Sequence, residues 1–262
     1  MSLIWKWQLI RDFQVTIAVP CTKFRKLSIV NENAYFLNPM SIELIDNSAM
    51  FLEFLSGGVN GEHMNNRYLW LATFLMVLTW SAINPKDYYT WFLEVSPALL
   101  GLFILIVTYK SYRLTAMVYQ LILVHCIILM VGGHYTYAEV PFFDGLLNFM
   151  NSGRNNYDKL GHLAQGFVPV MIAREISIRN NIFKSGVWRN FFIICFVLAL
   201  SAFYELIEWW VALMSDEAAE SFLGTQGYAW DTQSDMFMAL LGALFALMVL
   251  SKHHDRQLSN IN

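Results

Sequence analysis

Acidic and histidine side chains recur beside long apolar segments in the second half of the chain. Asp158 and His162 are spaced i, i+4, and Glu205 and Glu208 are spaced i, i+3, so each pair shares one face of a helix. We expect these side chains to converge, and we treat Glu205, His162 and Asp158 as candidate catalytic residues. The candidate substrate-binding residues are His134, Glu139, Glu208, Gln226, Asp231 and Asp235.

Two kinds of chemistry fit these residue types. Paired carboxylates with an imidazole from another segment can bind a divalent cation, although the sequence has no His-Glu-x-x-His motif and no cofactor is certain. Close carboxylates can also share a proton and act in acid–base catalysis. We expect Glu205 and His162 to form the acid–base pair and Asp158 to orient His162. Asp231 or Asp235 would hold a cation or a polar headgroup.

Structural interpretations of the same residues stay open at this point. His162 could lock helix packing through a hydrogen bond to Asp158, and Glu205 could be protonated and bonded to a neighbouring helix. Asp231 could be a helix N-cap, with Asp235 complementing the helix dipole.

Several further residues are expected to be mainly structural. Arg174 and Glu175 are interpreted as an ion pair that anchors the topology, and His253–His254 as part of a polar tail. Gly242 is expected to permit close helix packing. Asn155 could contribute to the binding of a polar headgroup.

The composition is that of a membrane protein. The chain has 262 residues, of which 56% are hydrophobic and 14% are charged, whereas about 25% of the residues in a soluble domain are charged. The mean hydropathy is +0.43. A net charge of −3 gives no basic field for nucleic acid. Cys126 and Cys195 lie in apolar runs, so no disulfide framework is indicated.

Six apolar segments predict an all-α bundle of about six transmembrane helices. The fourth segment is the least hydrophobic, and a re-entrant or interfacial helix is its alternative. The segments are Tyr68–Ile83, Trp91–Tyr109, Leu114–Gly133, Leu160–Ile176, Phe191–Met214 and Met236–Ser251.

Lysine and arginine are distributed unevenly between the two sides of this bundle. One side has nine of them and the other has three, so the positive-inside rule places both termini in the cytoplasm. The nine are Arg67, Lys110, Arg113, Arg174, Arg179, Lys184, Arg189, Lys252 and Arg256, and the three are Lys86, Arg154 and Lys159.

Three parts follow from this pattern. Residues 64–251 form the transmembrane domain, and residues 252–262 form a short polar cytoplasmic tail. Residues 1–63 contain no span-length apolar run. We expect Met64 to be the true initiator and residues 1–63 to come from a misassigned start, the alternative being a disordered or amphipathic leader.

Several motifs resemble those of the YjdF family of bacterial inner-membrane proteins. They are Tyr135–Pro141, Asn156–Val168, Tyr204–Trp209 and Phe222–Asp235, and the resemblance extends over about residues 64–251. It implies a multi-pass inner-membrane topology but no particular activity.

A weaker likeness is to the VanZ-like proteins, which are linked to glycopeptide-antibiotic resistance and the cell envelope. It consists of Asp158-Lys159-x-x-His162, a helical Glu205, and an aspartate before Gly242. The glutamine after the glutamate and the arginine before the last aspartate are missing here. The likeness therefore implies a shared bundle without a shared activity.

The sequence thus predicts an integral inner-membrane protein with a polar site in the outer leaflet. We expect that site to bind or process the headgroup of a membrane lipid or of a lipid-linked envelope precursor. The alternatives are a small proton-coupled transporter and a non-catalytic membrane assembly or stress factor, and whether the protein is an enzyme stays open.

Overall fold

The computed structural model describes residues 61–143, 155–214 and 228–260, with side chains from Arg67 onward. Within these ranges the chain forms helices and no strand, which confirms the all-α prediction. The helices are α1 (Gly61–Ala82), α2 (Tyr88–Thr108), α3 (Ala116–Tyr135), α4 (Tyr157–Arg179), α5 (Gly186–Met214) and α6 (Asp231–Leu258). Each corresponds to one of the six predicted segments.

Four of these helices, α2, α3, α5 and α6, are long and apolar enough to cross a membrane. Helix α1 begins with a mainly polar stretch up to Arg67, and α4 carries five charged side chains, so neither is apolar enough to count among them. Helix α5 exposes large apolar side chains such as Phe196, Phe203 and Trp210, as expected for a surface that faces lipid.

Capping residues define where α2 and α3 begin. The carboxylate of Asp87 accepts a hydrogen bond from the Thr90 backbone N–H at 2.6 Å, and the hydroxyl of Thr115 accepts one from Val118 at 3.4 Å. Helix α3 ends at Thr136, which adopts a left-handed conformation with φ of 60°.

Helix α4 is the central helix of the bundle and contacts α3, α5 and α6. Its contact with α6 is very close. A Cβ atom at Gly166 would overlap the carbonyl oxygen of Ala239, and one at Gly242 would overlap that of Leu163. Small residues allow helix backbones to approach in this way, so the prediction for Gly242 is confirmed and Gly166 is its partner on α4.

The far end of α4 is held by a buried polar network. The carboxylate of Glu175 accepts hydrogen bonds from the Thr115 hydroxyl at 2.8 Å and from Arg179 at 3.0 Å, and it lies 3.1 Å from Nε2 of His254. Because His254 is fully buried and α6 continues to Leu258, the interpretation of His254 as a tail residue is wrong.

The expected pairing of Arg174 with Glu175 is also wrong. Arg174 bonds to Asp255 at 2.6 Å, and Glu175 bonds instead to Arg179 one turn further on. Neighbouring residues in a helix point to different faces, whereas residues four apart lie side by side.

Candidate functional site

The start of α4, the second half of α5 and the start of α6 bring charged side chains to one end of the bundle. This group is called the polar cluster below. It consists of Asp158, Lys159, His162, Glu205, Glu208, Asp231 and Asp235, and every one of these residues except Asp158 is buried, with at most 8% of its surface exposed.

Lys159 joins α4 to α6. Its Nζ atom donates to Oδ1 of Asp231 at 2.8 Å and also to Oδ1 of Asp235. The ring of Tyr228 adds a cation–π contact, with its centroid 5.7 Å from Nζ. Asp231 is the first residue of α6 rather than its N-cap, which is Trp230. The two aspartates therefore form a buried ion pair with a lysine from the neighbouring helix.

His162 lies between two carboxylates. Its Nε2 atom is 3.4 Å from Oδ1 of Asp158 and 3.7 Å from Oε1 of Glu205. Its Nδ1 atom is 3.0 Å from Oε1 of Gln165. Glu205 is only 8% exposed, and its Oε1 atom has no hydrogen-bond partner. The three candidate catalytic residues thus lie together, with one buried carboxylate oxygen unpaired.

Glu94 of α2 extends this arrangement and was not found from the sequence. It is 5% exposed, and its Oε2 atom accepts a hydrogen bond from the Tyr204 hydroxyl at 3.0 Å. The Tyr204 ring meets the His162 ring edge-on, with the centroids 6.2 Å apart. A single acidic residue inside the apolar stretch 91–109 was the signal that could have identified Glu94.

Tyr137 supports the start of α4 from the loop after α3. Its ring packs against Gly132 and Gly161, where a Cβ would meet the ring. Burial raises the pKa of its hydroxyl well above the usual value, so this group stays neutral. Asn155 fastens the same loop by donating to the Val140 carbonyl at 2.9 Å. This contact positions the loop, and the binding of a headgroup by Asn155 stays a prediction.

The other residues predicted to bind substrate are not all in the polar cluster. Glu208 is buried one turn beyond Glu205. His134 instead lies against Trp80 and 3.0 Å from the Ser81 carbonyl oxygen, and Glu139 forms an exposed ion pair with Lys86. Gln226 lies outside the described residues.

The cluster contains more acidic than basic groups. Five carboxylates face one lysine and one histidine. One ligand atom from each of Asp158, His162 and Asp235 lies within 4.8 Å of the others, a grouping that could hold a metal ion. Buried carboxylates without matching positive charge favour a bound cation or hydrogen-bond donor.

Apolar helices around a buried polar cluster define a multi-pass helical membrane protein. The family described as "Predicted membrane protein (DUF2238)" matches residues 66–256, and the chain belongs to this family. "Inner membrane protein YjdF" of Escherichia coli (strain K12) is 48% identical over 186 residues, which cover 71% of this chain and 89% of that protein. No solved structure matches. The family resemblance noted in the sequence is confirmed, and the similarity to VanZ-like proteins stays a prediction.

Proposed function

We propose that this protein is an inner-membrane protein whose polar cluster binds the headgroup of a membrane lipid or of a lipid-linked envelope precursor. Glu205 and His162 act there as an acid–base pair, and Asp158 orients His162. The observation that carries the proposal is the convergence of acceptor atoms around Nε2 of His162.

The hydrogen-bond partner of His162 determines which of its ring atoms faces the cluster. Because Nδ1 lies 3.0 Å from the Gln165 side-chain oxygen, Nδ1 donates to that oxygen and Nε2 is the ring nitrogen that faces Asp158 and Glu205. Oδ1 of Asp158 lies 3.4 Å from Nε2, and Oε1 of Glu205 lies 3.7 Å from it. A ligand that donates hydrogen bonds, such as a hydroxyl or an ammonium group, would satisfy Oε1 of Glu205, which has no partner among the described residues.

The charge balance narrows the class of headgroup further. A bare anion would meet an excess of carboxylates, whereas a sugar hydroxyl or an amine would be attracted. Once bound, a hydroxyl group beside Nε2 could lose its proton to His162. The resulting imidazolium could pass that proton to the carboxylate of Glu205, which could then return it to the bound group. The arrangement therefore supports proton transfer at a bound polar group.

The position of the cluster favours the headgroup region of the bilayer. Its residues lie near the starts of α4 and α6. The Asp158 side chain is 17% exposed whereas that of His162 is 5% exposed, so the cluster opens toward the helix ends at Asp158. The lysine and arginine distribution favours the outer side for this end, with both termini in the cytoplasm.

Native mass spectrometry tests the proposal. Wild type, Glu205→Gln and the matched control Glu139→Gln are purified in mild detergent, and any bound lipid is then identified by fragmentation. We expect the same lipid or precursor on wild type and Glu139→Gln, and its loss from Glu205→Gln. A clean mass for the wild type, or equal lipid on all three proteins, would overturn the proposal.

A further inference from the structure

We infer that Asp158, His162, Asp235 and Glu205 form a binding site for one divalent transition-metal ion, Zn²⁺ or Mn²⁺. The inference deepens the headgroup-binding part of the proposed function and rests on it, because the ion would lie in the same cluster and present its open coordination positions to the headgroup. While the ion is bound, His162 and Glu205 would be ligands, and the ion would polarise the bound group in place of the acid–base pair.

The spacing of the ligand atoms fits a single ion. Two ligands that are each about 2.1 Å from a metal lie about 3.0–4.2 Å apart in the usual geometries. Nε2 of His162 is 3.4 Å from Oδ1 of Asp158 and 3.7 Å from Oε1 of Glu205. Both separations are too long for good hydrogen bonds and match neighbouring ligands of one metal. The oxygen of Asp235 completes a group within 4.8 Å, so a small contraction closes the site.

Glu205 gives an independent indication of a ligand. Its Oε1 atom is buried, has no hydrogen-bond partner and points toward Nε2 of His162. Leaving a buried acceptor unpaired costs about 1–3 kcal/mol in general. Such an atom is expected where a bound group provides the missing interaction.

The surroundings of His162 match those of a metal-binding histidine. Such histidines donate their second ring N–H to an acceptor, which fixes the tautomer and the ring orientation. Gln165 provides that acceptor at Nδ1, and Nε2 is left for the metal. Lys159 holds Asp235 from the other side and offsets part of the carboxylate charge.

The mixture of ligands selects the class of metal. Carboxylate oxygens alone suit Mg²⁺ or Ca²⁺, whereas an imidazole nitrogen among them favours Zn²⁺ or Mn²⁺. Because the ligands come from three helices, no short sequence motif contains the set.

Metal binding is tested on the full chain in detergent. Bound metal is removed from the protein with EDTA, and the protein is then dialysed against Zn²⁺ or Mn²⁺. The metal bound per chain is measured by inductively coupled plasma mass spectrometry. We expect about one ion per chain in wild type and in the control His134→Gln. We expect binding at least about tenfold weaker in His162→Gln and Asp158→Asn, and also in Gln165→Leu, which removes only the support of His162.

Spectroscopy of bound Mn²⁺ keeps the test independent of folding. Electron spin-echo measurements on wild type should show coupling to an imidazole nitrogen, and the coupling should be absent in His162→Gln. Folded wild type that takes up no more metal than His162→Gln, or bound Mn²⁺ without a nitrogen signal, would overturn the inference.

The two proposals fail in different ways. If stripped protein still carries a headgroup that Glu205→Gln loses, the proposed function stands and the metal site does not. If metal binds through His162 and no lipid is found in any sample, the metal site stands alone.

Discussion

Oε1 of Glu205 on α5 lies 3.7 Å from Nε2 of His162 on α4, and this oxygen has no hydrogen-bond partner among the described residues. A buried acceptor without a partner destabilises the protein that contains it. Glu205 therefore contributes to the site at a cost in stability.

Replacing Glu205 with glutamine should separate stability from function. The amide has the same shape and removes a buried unpaired carboxylate, so we expect an unchanged or raised melting temperature in detergent. A gain of 1 kcal/mol corresponds to about 2–4 °C for a protein of this size. Ligand should be lost at the same time, which is measured on the same samples. A large fall in melting temperature would contradict the unpaired state of Glu205.

Glu175→Gln is the matched change at the opposite end of the bundle. It should lower the stability of the protein and leave the ligand of the polar cluster in place. Each oxygen of Glu175 accepts hydrogen bonds, including both Thr115 donors and His254, so an amide nitrogen meets a donor in either orientation. We expect a loss of about 3–5 kcal/mol, as for a broken buried ion pair. Thermal unfolding measures this loss, and stability equal to that of wild type would show that the network is not formed.

Lys159→Met should destabilise the protein strongly. Methionine keeps most of the side-chain volume but leaves Asp231 and Asp235 buried without their cation, at a cost of about 3–5 kcal/mol. Lys86→Met is the control, since the ion pair of Lys86 with Glu139 is half exposed and worth at most about 1 kcal/mol. Equal melting temperatures for the two variants would contradict the buried pairing.

Gly166→Ala tests the close contact of α4 with α6. The added methyl group would overlap the backbone of Ala239, so the helices must separate and the protein should lose folded yield or several degrees of melting temperature. Gly101→Ala is the control because its Cβ would meet no atom within 4 Å. There alanine should be neutral or stabilise the helix by about 0.5–1 kcal/mol. The opposite ranking would show that α4 and α6 are not in close contact.

The proposed orientation is tested with single introduced cysteines in a background that carries Cys21→Ser and Cys195→Ser. Cys195 is exposed on α5, whereas Cys126 is buried and should not react. A membrane-impermeant thiol reagent added to intact cells should label Glu139→Cys, in the loop after α3, and should leave Ser259→Cys unlabelled. Labelling of Ser259→Cys alone would reverse the orientation.

The sequence was sufficient to predict the six helices and most of the polar cluster. Apolar length locates helices, and the spacing of Asp158 and His162 fixes their common face. Their approach to Glu205 also follows from the cost of isolated polar groups in a membrane.

Contacts between helices were harder to predict. Sequence spacing does not give helix crossing points, so the pairing of Lys159 with Asp231, the closeness of Gly166 to Ala239 and the burial of His254 appeared only in the structure. The sequence analysis counted Lys159 among the charges that set the membrane orientation, because a lysine near the end of a span usually faces water. Here Lys159 is buried instead, because Asp231 and Asp235, one turn apart on α6, bind its ammonium group.

The glycine contacts also determine how a ligand reaches the cluster. The backbones of α4 and α6 are in direct contact at Gly166 and Gly242. Polar contacts also join the two helices at both ends, at Lys159–Asp231 and at Glu175–His254. We therefore expect the two helices to move as one unit. Helix α5 has no glycine after Gly186, so the close glycine contacts that join α4 to α6 have no counterpart on it. We therefore expect the boundary beside α5 to separate with the least loss of packing. Because α5 exposes large apolar side chains, we expect a lipid to enter there from within the bilayer rather than from water.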